Sequence, residues 1–126
     1  MNYFGTIIEE SLSDKAVLGE IKITKTKVED VDEEHKTPWL KQWTLHSVEI
    51  PEDKAEEIAE KLSNALEVEH SSWYADYKNK DWHYIIFAKK VFKIDRTKKN
   101  EYDEATKYGI SKGIPDYQLD FSPEVK

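Results

Sequence analysis

The chain has no cysteine. Its absence excludes a disulfide framework, a thiolate nucleophile and a cysteine-ligated zinc, and it fits a reducing cytosol. Arginine is almost missing too: Arg96 is the sole arginine among 19 basic residues. The guanidinium fork is the preferred group for gripping phosphate with two parallel bonds, so its scarcity argues against a phosphate clamp. No apolar run approaches the ~20 residues of a membrane-spanning helix. The N-terminal residues lack the basic region and apolar stretch of a signal peptide. Neither a P-loop nor a dinucleotide-binding fingerprint is present, and there are no internal repeats. These absences lead us to expect a soluble cytosolic protein with no cofactor, no metal and no membrane attachment.

What the chain does have is charge and aromatic rings. Charged residues make up 36% and aromatic residues 12% of its 126 residues. The first value exceeds the roughly 25% of ordinary soluble domains, so the surface is heavily solvated. The second argues for a folded chain, since disordered chains are poor in aromatics. One domain is expected over residues 1–121, with a frayed tail at 122–126. Net charge is −7, which disfavours generic nucleic-acid binding. The charge is uneven: residues 73–99 carry eight Lys or Arg against three Asp, leaving −12 on the rest.

Periodicity divides the chain into short elements. Asn2–Ile8 reads as a strand, and Ser11–Leu18 as a short helical turn capped by Ser13. Glu20–Val28 alternates as a strand with one solvated face. In Gln42–Ile50, Trp43, Leu45 and Ser47 share one face; Thr44, His46, Val48 and Ile50 share the other, and Pro51 ends the strand. Asp53–Leu66 reads as a helix. Asp53 and Glu56 have capping-box spacing, and Ala55, Ile58, Ala59, Leu62, Ala65 and Leu66 form one apolar stripe. Strands follow at Trp73–Lys78, Trp82–Phe87 and Val91–Ile94. Lys98–Tyr108 reads as a second helix with Gly109 as its left-handed cap. Gly113-Ile114-Pro115 reads as a turn, and Tyr117, Leu119 and Phe121 as a last extended segment. The order β-β-β-α-β-β-β-α implies an α+β fold: an antiparallel sheet of five to six strands, with two main helices on one face.

The densest chemistry lies in Trp73–Arg96, which holds seven aromatics and one histidine. A two-residue turn at Asn79–Lys80 would set Asp76 opposite His83, and a three-residue turn would set Tyr77 there instead. A one-residue slip flips every side chain, so the two registers give different chemistry. If Asp76 and His83 meet, the carboxylate can orient the ring as an acid–base dyad requires; a structural cross-strand pair is the competing reading. His46 is a second candidate base, or a satisfied core residue. His35 and His70 fall in charged loops. Only a tertiary cluster of His46, His83 and Asp76 would supply a metal site, because no single element offers two ligands. Gly109-Ile110-Ser111-Lys112-Gly113 matches the spacing of a nucleophile elbow. The match is rejected because a helix precedes the serine and proline follows it, whereas the elbow needs a strand before and a helix after.

The runs Pro38-Trp39, Trp43-Thr44-Leu45-His46, Trp73-Tyr74-Ala75-Asp76-Tyr77-Lys78-Asn79, His83-Tyr84-Ile85-Ile86-Phe87, and Tyr108-Gly109-Ile110 with Gly113-Ile114-Pro115-Asp116-Tyr117-Gln118-Leu119 resemble a group of small prokaryotic proteins of unknown function. The resemblance covers residues 36–121. It implies a bacterial or archaeal cytosolic protein and carries no activity with it.

These observations favour a binding module over an enzyme. The expected surface is the exposed face of the Trp73–Ile94 sheet together with Ile110–Phe121. Its ligand would be a small polar or anionic molecule, or a protein partner, contacted by Tyr74, Lys78, Trp82, Tyr84 and Arg96. A small hydrolase or isomerase using His83 or His46 with Asp76 is the enzyme alternative. Single-stranded RNA binding is a third, because residues 73–99 interleave lysines with rings on which bases stack. Dimerisation through an aromatic sheet face competes with all three.

Overall fold

The computed structural model describes residues 1–31, 40–67 and 73–114. His35, Pro38, Trp39, His70, the Tyr117–Phe121 segment and the tail lie outside them. The described residues form an α+β fold around one six-stranded antiparallel sheet. Its strands are β1 (Tyr3–Ile8), β2 (Lys22–Asp30), β3 (Gln42–Ile50), β4 (Tyr74–Lys78), β5 (Trp82–Phe87) and β6 (Lys90–Asp95), in spatial order β2-β3-β1-β4-β5-β6. Two helices complete the fold, α1 (Ala55–Ala65) and α2 (Lys99–Ser111). No helix among the described residues is long and apolar enough to cross a membrane.

The helices take opposite faces of the sheet, not one. Adjacent residues on a strand point to opposite sides. Ile86 packs in the cluster built on Ile58, Ala59 and Leu62 of α1; its neighbour Ile85 packs with Tyr102 and Ala105 of α2. The apolar stripe of α1 docks as expected, since its spacing of three and four residues keeps one face toward the sheet. Ile58 and Leu62 are buried, each contributing roughly 1.5–3 kcal/mol.

Local chemistry corrects several boundaries. Asp53 does not cap α1. Residues Glu52–Lys54 form a 3-10 turn, Lys54 takes the cap position, and no side chain closes it. The segment after β1 holds two 3-10 turns, Glu9–Ser11 and Lys15–Glu20, the second capped by Asp14 rather than Ser13. Gly109 lies inside α2, which runs on to Ser111. The left-handed residue is Gly113, with φ of +90°. Ile114 N–H donates to the Gly109 carbonyl and Gly113 N–H to that of Ile110, the paired bonds of a Schellman cap. That cap returns Ile114 to the core.

The β4–β5 hairpin adopts neither expected register. Lys78 pairs with His83, Tyr77 with Tyr84 and Asp76 with Ile85. Lys80 and Asp81 form the tip, because the Asn79 side chain accepts from both Asp81 N–H and Trp82 N–H and closes the turn. Asp76 and His83 therefore share a face as diagonal neighbours, a separation that side chains of their length can span. In the middle of the sheet, β1 and β4 approach unusually closely at Gly5. A Cβ there would stand 2.0 Å from the Asp76 carbonyl oxygen.

Candidate functional site

Among the described residues, α2 covers one face of the sheet over β5 and β6, and no helix covers that face over β4, β1 and β3. Phe87 and Phe92 pack beneath Tyr108, with ring centroids 4.9 and 5.6 Å away. Beyond this covered half lies a cavity of about 290 Å³, near the lower end of the ~300–1,000 Å³ typical of ligand pockets. Thr6 and Ile8 of β1, Trp43 and Leu45 of β3 and Tyr74 and Asp76 of β4 line it, together with Trp73 and Ile114. Asp76 is the only charged residue among them.

Asp76 is held from behind. Its Oδ2 lies 2.7 Å from His83 Nε2, and His83 Nδ1 lies 3.0 Å from the Tyr102 hydroxyl. The Arg96 guanidinium acts electrostatically on that hydroxyl and donates to the Asn79 carbonyl at 2.6 Å. Donor and acceptor chemistry orders this chain. A carboxylate only accepts, so His83 Nε2–H donates to it. In the neutral tautomer with Nε2 protonated, Nδ1 accepts from the Tyr102 O–H. Burial raises the Tyr102 pKa and outweighs the opposing pull of Arg96, which keeps that hydroxyl protonated and donating. Each group thus donates to the next, ending on the Asp76 carboxylate.

His83 is 1% exposed and both ring nitrogens are engaged. The roles expected of the dyad are therefore exchanged: the ring orients the carboxylate, and Asp76, with a third of its side chain exposed, meets the cavity. His46 lies on the other face. Its Nδ1 is 2.8 Å from Thr26 Oγ1 and its Nε2 is 3.0 Å from Glu9 Oε1. His46 and His83 do not converge, and no group of three His, Asp or Glu side chains gathers to hold a metal among the described residues.

Compared with family models, curated proteins and solved structures, the chain finds no match. The site must be read from its own geometry.

The five residues expected to share a ligand surface are dispersed. Tyr74 lines the cavity, and Lys78 lies four residues further along β4 on the same face. Tyr84 is 4% exposed and packs between Tyr3 and Tyr77 on the α1 side, where burial pushes its pKa up to about 12. Trp82 shares that side and lies under Lys93, whose Nζ is 4.7 Å from its ring centroid. Arg96 is buried behind Tyr102. Among Trp73, Tyr74, Tyr77, Trp82, Tyr84, Phe87 and Phe92, Trp82 alone is exposed. A row of open rings for stacked bases is therefore not formed in this hairpin.

Sequence reasoning missed Tyr102, Thr6 and Ile8. Tyr102, Ala105 and Gly109 recur at three- and four-residue spacing, a signal that places Tyr102 on the buried side of α2. Trp43 and Leu45 were visible as one strand face. Nothing in the sequence, however, showed that this face joins Tyr74 and Asp76 across β1.

Proposed function

We propose that the protein is a binding module that takes a small organic ligand in the cavity over β3, β1 and β4. The observation that carries this reading is a single fixed carboxylate set among apolar and aromatic walls. Few polar groups aimed into an apolar concavity are how proteins orient small ligands. Thr6 is paired directly with Asp76 across β1 and β4, so a hydroxyl and a carboxylate stand side by side at the polar end. Trp43, Leu45, Ile8 and Ile114 supply the apolar remainder. An anionic ligand fits poorly here, since like charges repel most strongly where water is scarce.

A two-dimensional amide NMR screen against pools of amines, carboxylates, nucleotides and short RNA tests this. Shifts at Thr6, Leu45, Tyr74 and Asp76 are the expected result. If every pool leaves those four unmoved, or if shifts gather instead at the hairpin tip around Lys80, the reading fails.

A further inference from the structure

Resting on that pocket reading, we infer that the ligand is a small organic cation: a protonated amine carried on an apolar body. Three observations converge on it. The first is the direction of the buried chain. From Tyr102 through His83, in the neutral tautomer, each link donates toward Asp76, and an acceptor end of this kind is satisfied by an ionised carboxylate. The buried side of Asp76 is occupied through Oδ2, so its remaining acceptor capacity is directed to the cavity that it lines.

The second is the wall. Trp43 and Trp73 meet with ring centroids 5.4 Å apart and planes inclined by 59°, forming an angled aromatic surface beside Tyr74. The Trp73 indole N–H donates to Glu67 Oε2, so what Trp73 offers the cavity is carbon and π-density. Aromatic faces attract cations through the ring quadrupole, and angled Trp and Tyr walls are how alkylammonium groups are caged. The third is what does not line the cavity: among the described residues, the eight that line it include no Lys and no Arg. Among the described residues, no Lys or Arg on those walls competes with a ligand for Asp76. The two aromatic walls and the carboxylate therefore present the same electrostatic sign to a ligand, and only a cation is attracted by both.

Three probes of nearly equal shape test this inference. They are phenethylammonium, neutral 2-phenylethanol and anionic 3-phenylpropanoate, each titrated into the full chain and followed by tryptophan fluorescence and amide NMR. Phenethylammonium is expected to bind roughly tenfold or more tightly than the alcohol, from a cation–π contact together with an ion pair. The propanoate is expected to bind weakest. Asp76→Asn should weaken binding of the amine by a much larger factor than binding of 2-phenylethanol, so that the preference between the two collapses. Tyr102→Phe removes the donor to His83 without touching the cavity, and should reduce the same preference by a smaller factor. If amine and alcohol bind equally, or the propanoate binds best, the cation assignment is overturned while the pocket stands. If none of the three shifts the Thr6, Leu45 or Asp76 resonances, the pocket reading falls, and this inference with it.

Discussion

Each strand of this sheet contributes alternate residues to two faces, and the two faces serve different ends. The α1 side is closed by apolar packing: Tyr3, Ile7, Val48, Ile50, Tyr77 and Ile86 lie against the helix, and the Tyr77 hydroxyl donates to the Ala55 carbonyl at 2.5 Å. The α2 side is closed only in part. Under α2 it buries a histidine within a chain of polar groups, and beside α2 it leaves a cavity. The two histidines show the same contrast. His46 and His83 each pair with a carboxylate and a hydroxyl. His46 does so at 7% exposure near the β2 edge, where its partners Thr26 and Glu9 both reach solvent. His83 does so at 1% exposure, and its hydroxyl partner Tyr102 is buried with it at 3%. The same pairing thus rests on partners that water can replace in one place and is a fixed scaffold for a binding group in the other. Burial decides which.

The strongest way to break this arrangement is at the point both faces share. Gly5→Ala would drive a Cβ into the backbone of β4 at Asp76 and Tyr77. Neither main chain can yield without parting two central strands. We expect a loss of about 3 kcal/mol or more, read as a lower denaturation midpoint, because overpacking against backbone lies at the costly end of core substitutions. An unchanged midpoint would mean that β1 and β4 are not apposed as described.

The two histidines give a sharper test. His83→Leu removes the buried partner of both Asp76 and Tyr102, and should cost about 2–3 kcal/mol. His46→Leu should cost about 1 kcal/mol or less, since solvent can take over its partners. Equal losses in urea denaturation would remove the distinction between the faces.

The smallest effect at neutral pH, and the most selective, belongs to the tyrosines of the α1 side. Tyr3, Tyr77 and Tyr84 pack together, and burial raises the pKa of each, that of Tyr84 to about 12. A group whose pKa is raised on folding stabilises the fold fully below its unfolded value, here 10.0 for Tyr84. That contribution is lost as pH climbs through the folded value. Stability should therefore be flat across neutral pH and fall between about pH 10 and 12. Tyr84→Phe should make that fall shallower. A variant that follows the same alkaline curve as the parent would show that Tyr84 is solvated.

Much of the fold was legible in the sequence, and particular residues show why. The alternation in Gln42–Ile50 and the apolar stripe of α1 depend only on neighbours along the chain, and both appear where they were expected. Caps were read less well. Asp53 and Gly109 each had the right residue type, but Glu52–Lys54 tightened into a 3-10 turn and α2 ran one further turn to a second glycine, Gly113. Both outcomes depend on how the helix is docked, which local spacing does not encode. The site was half legible. Asp76 and His83 were paired as candidates, while their register, their exchange of roles and the contribution of Tyr102 were not.

Residue order by itself determined the α+β class, the strands and the principal helices, because a period of two or of 3.6 fixes which side chains share a face. It also determined that cysteine chemistry is excluded. Only the tertiary structure decided that Asn79 would close a two-residue tip, that α1 and α2 would take opposite faces, and that β1 would carry Thr6 beside Asp76. Those outcomes rest on contacts between residues distant in sequence. Their energies are set by burial and by the partners available in the folded state, neither of which exists until the sheet has closed around them.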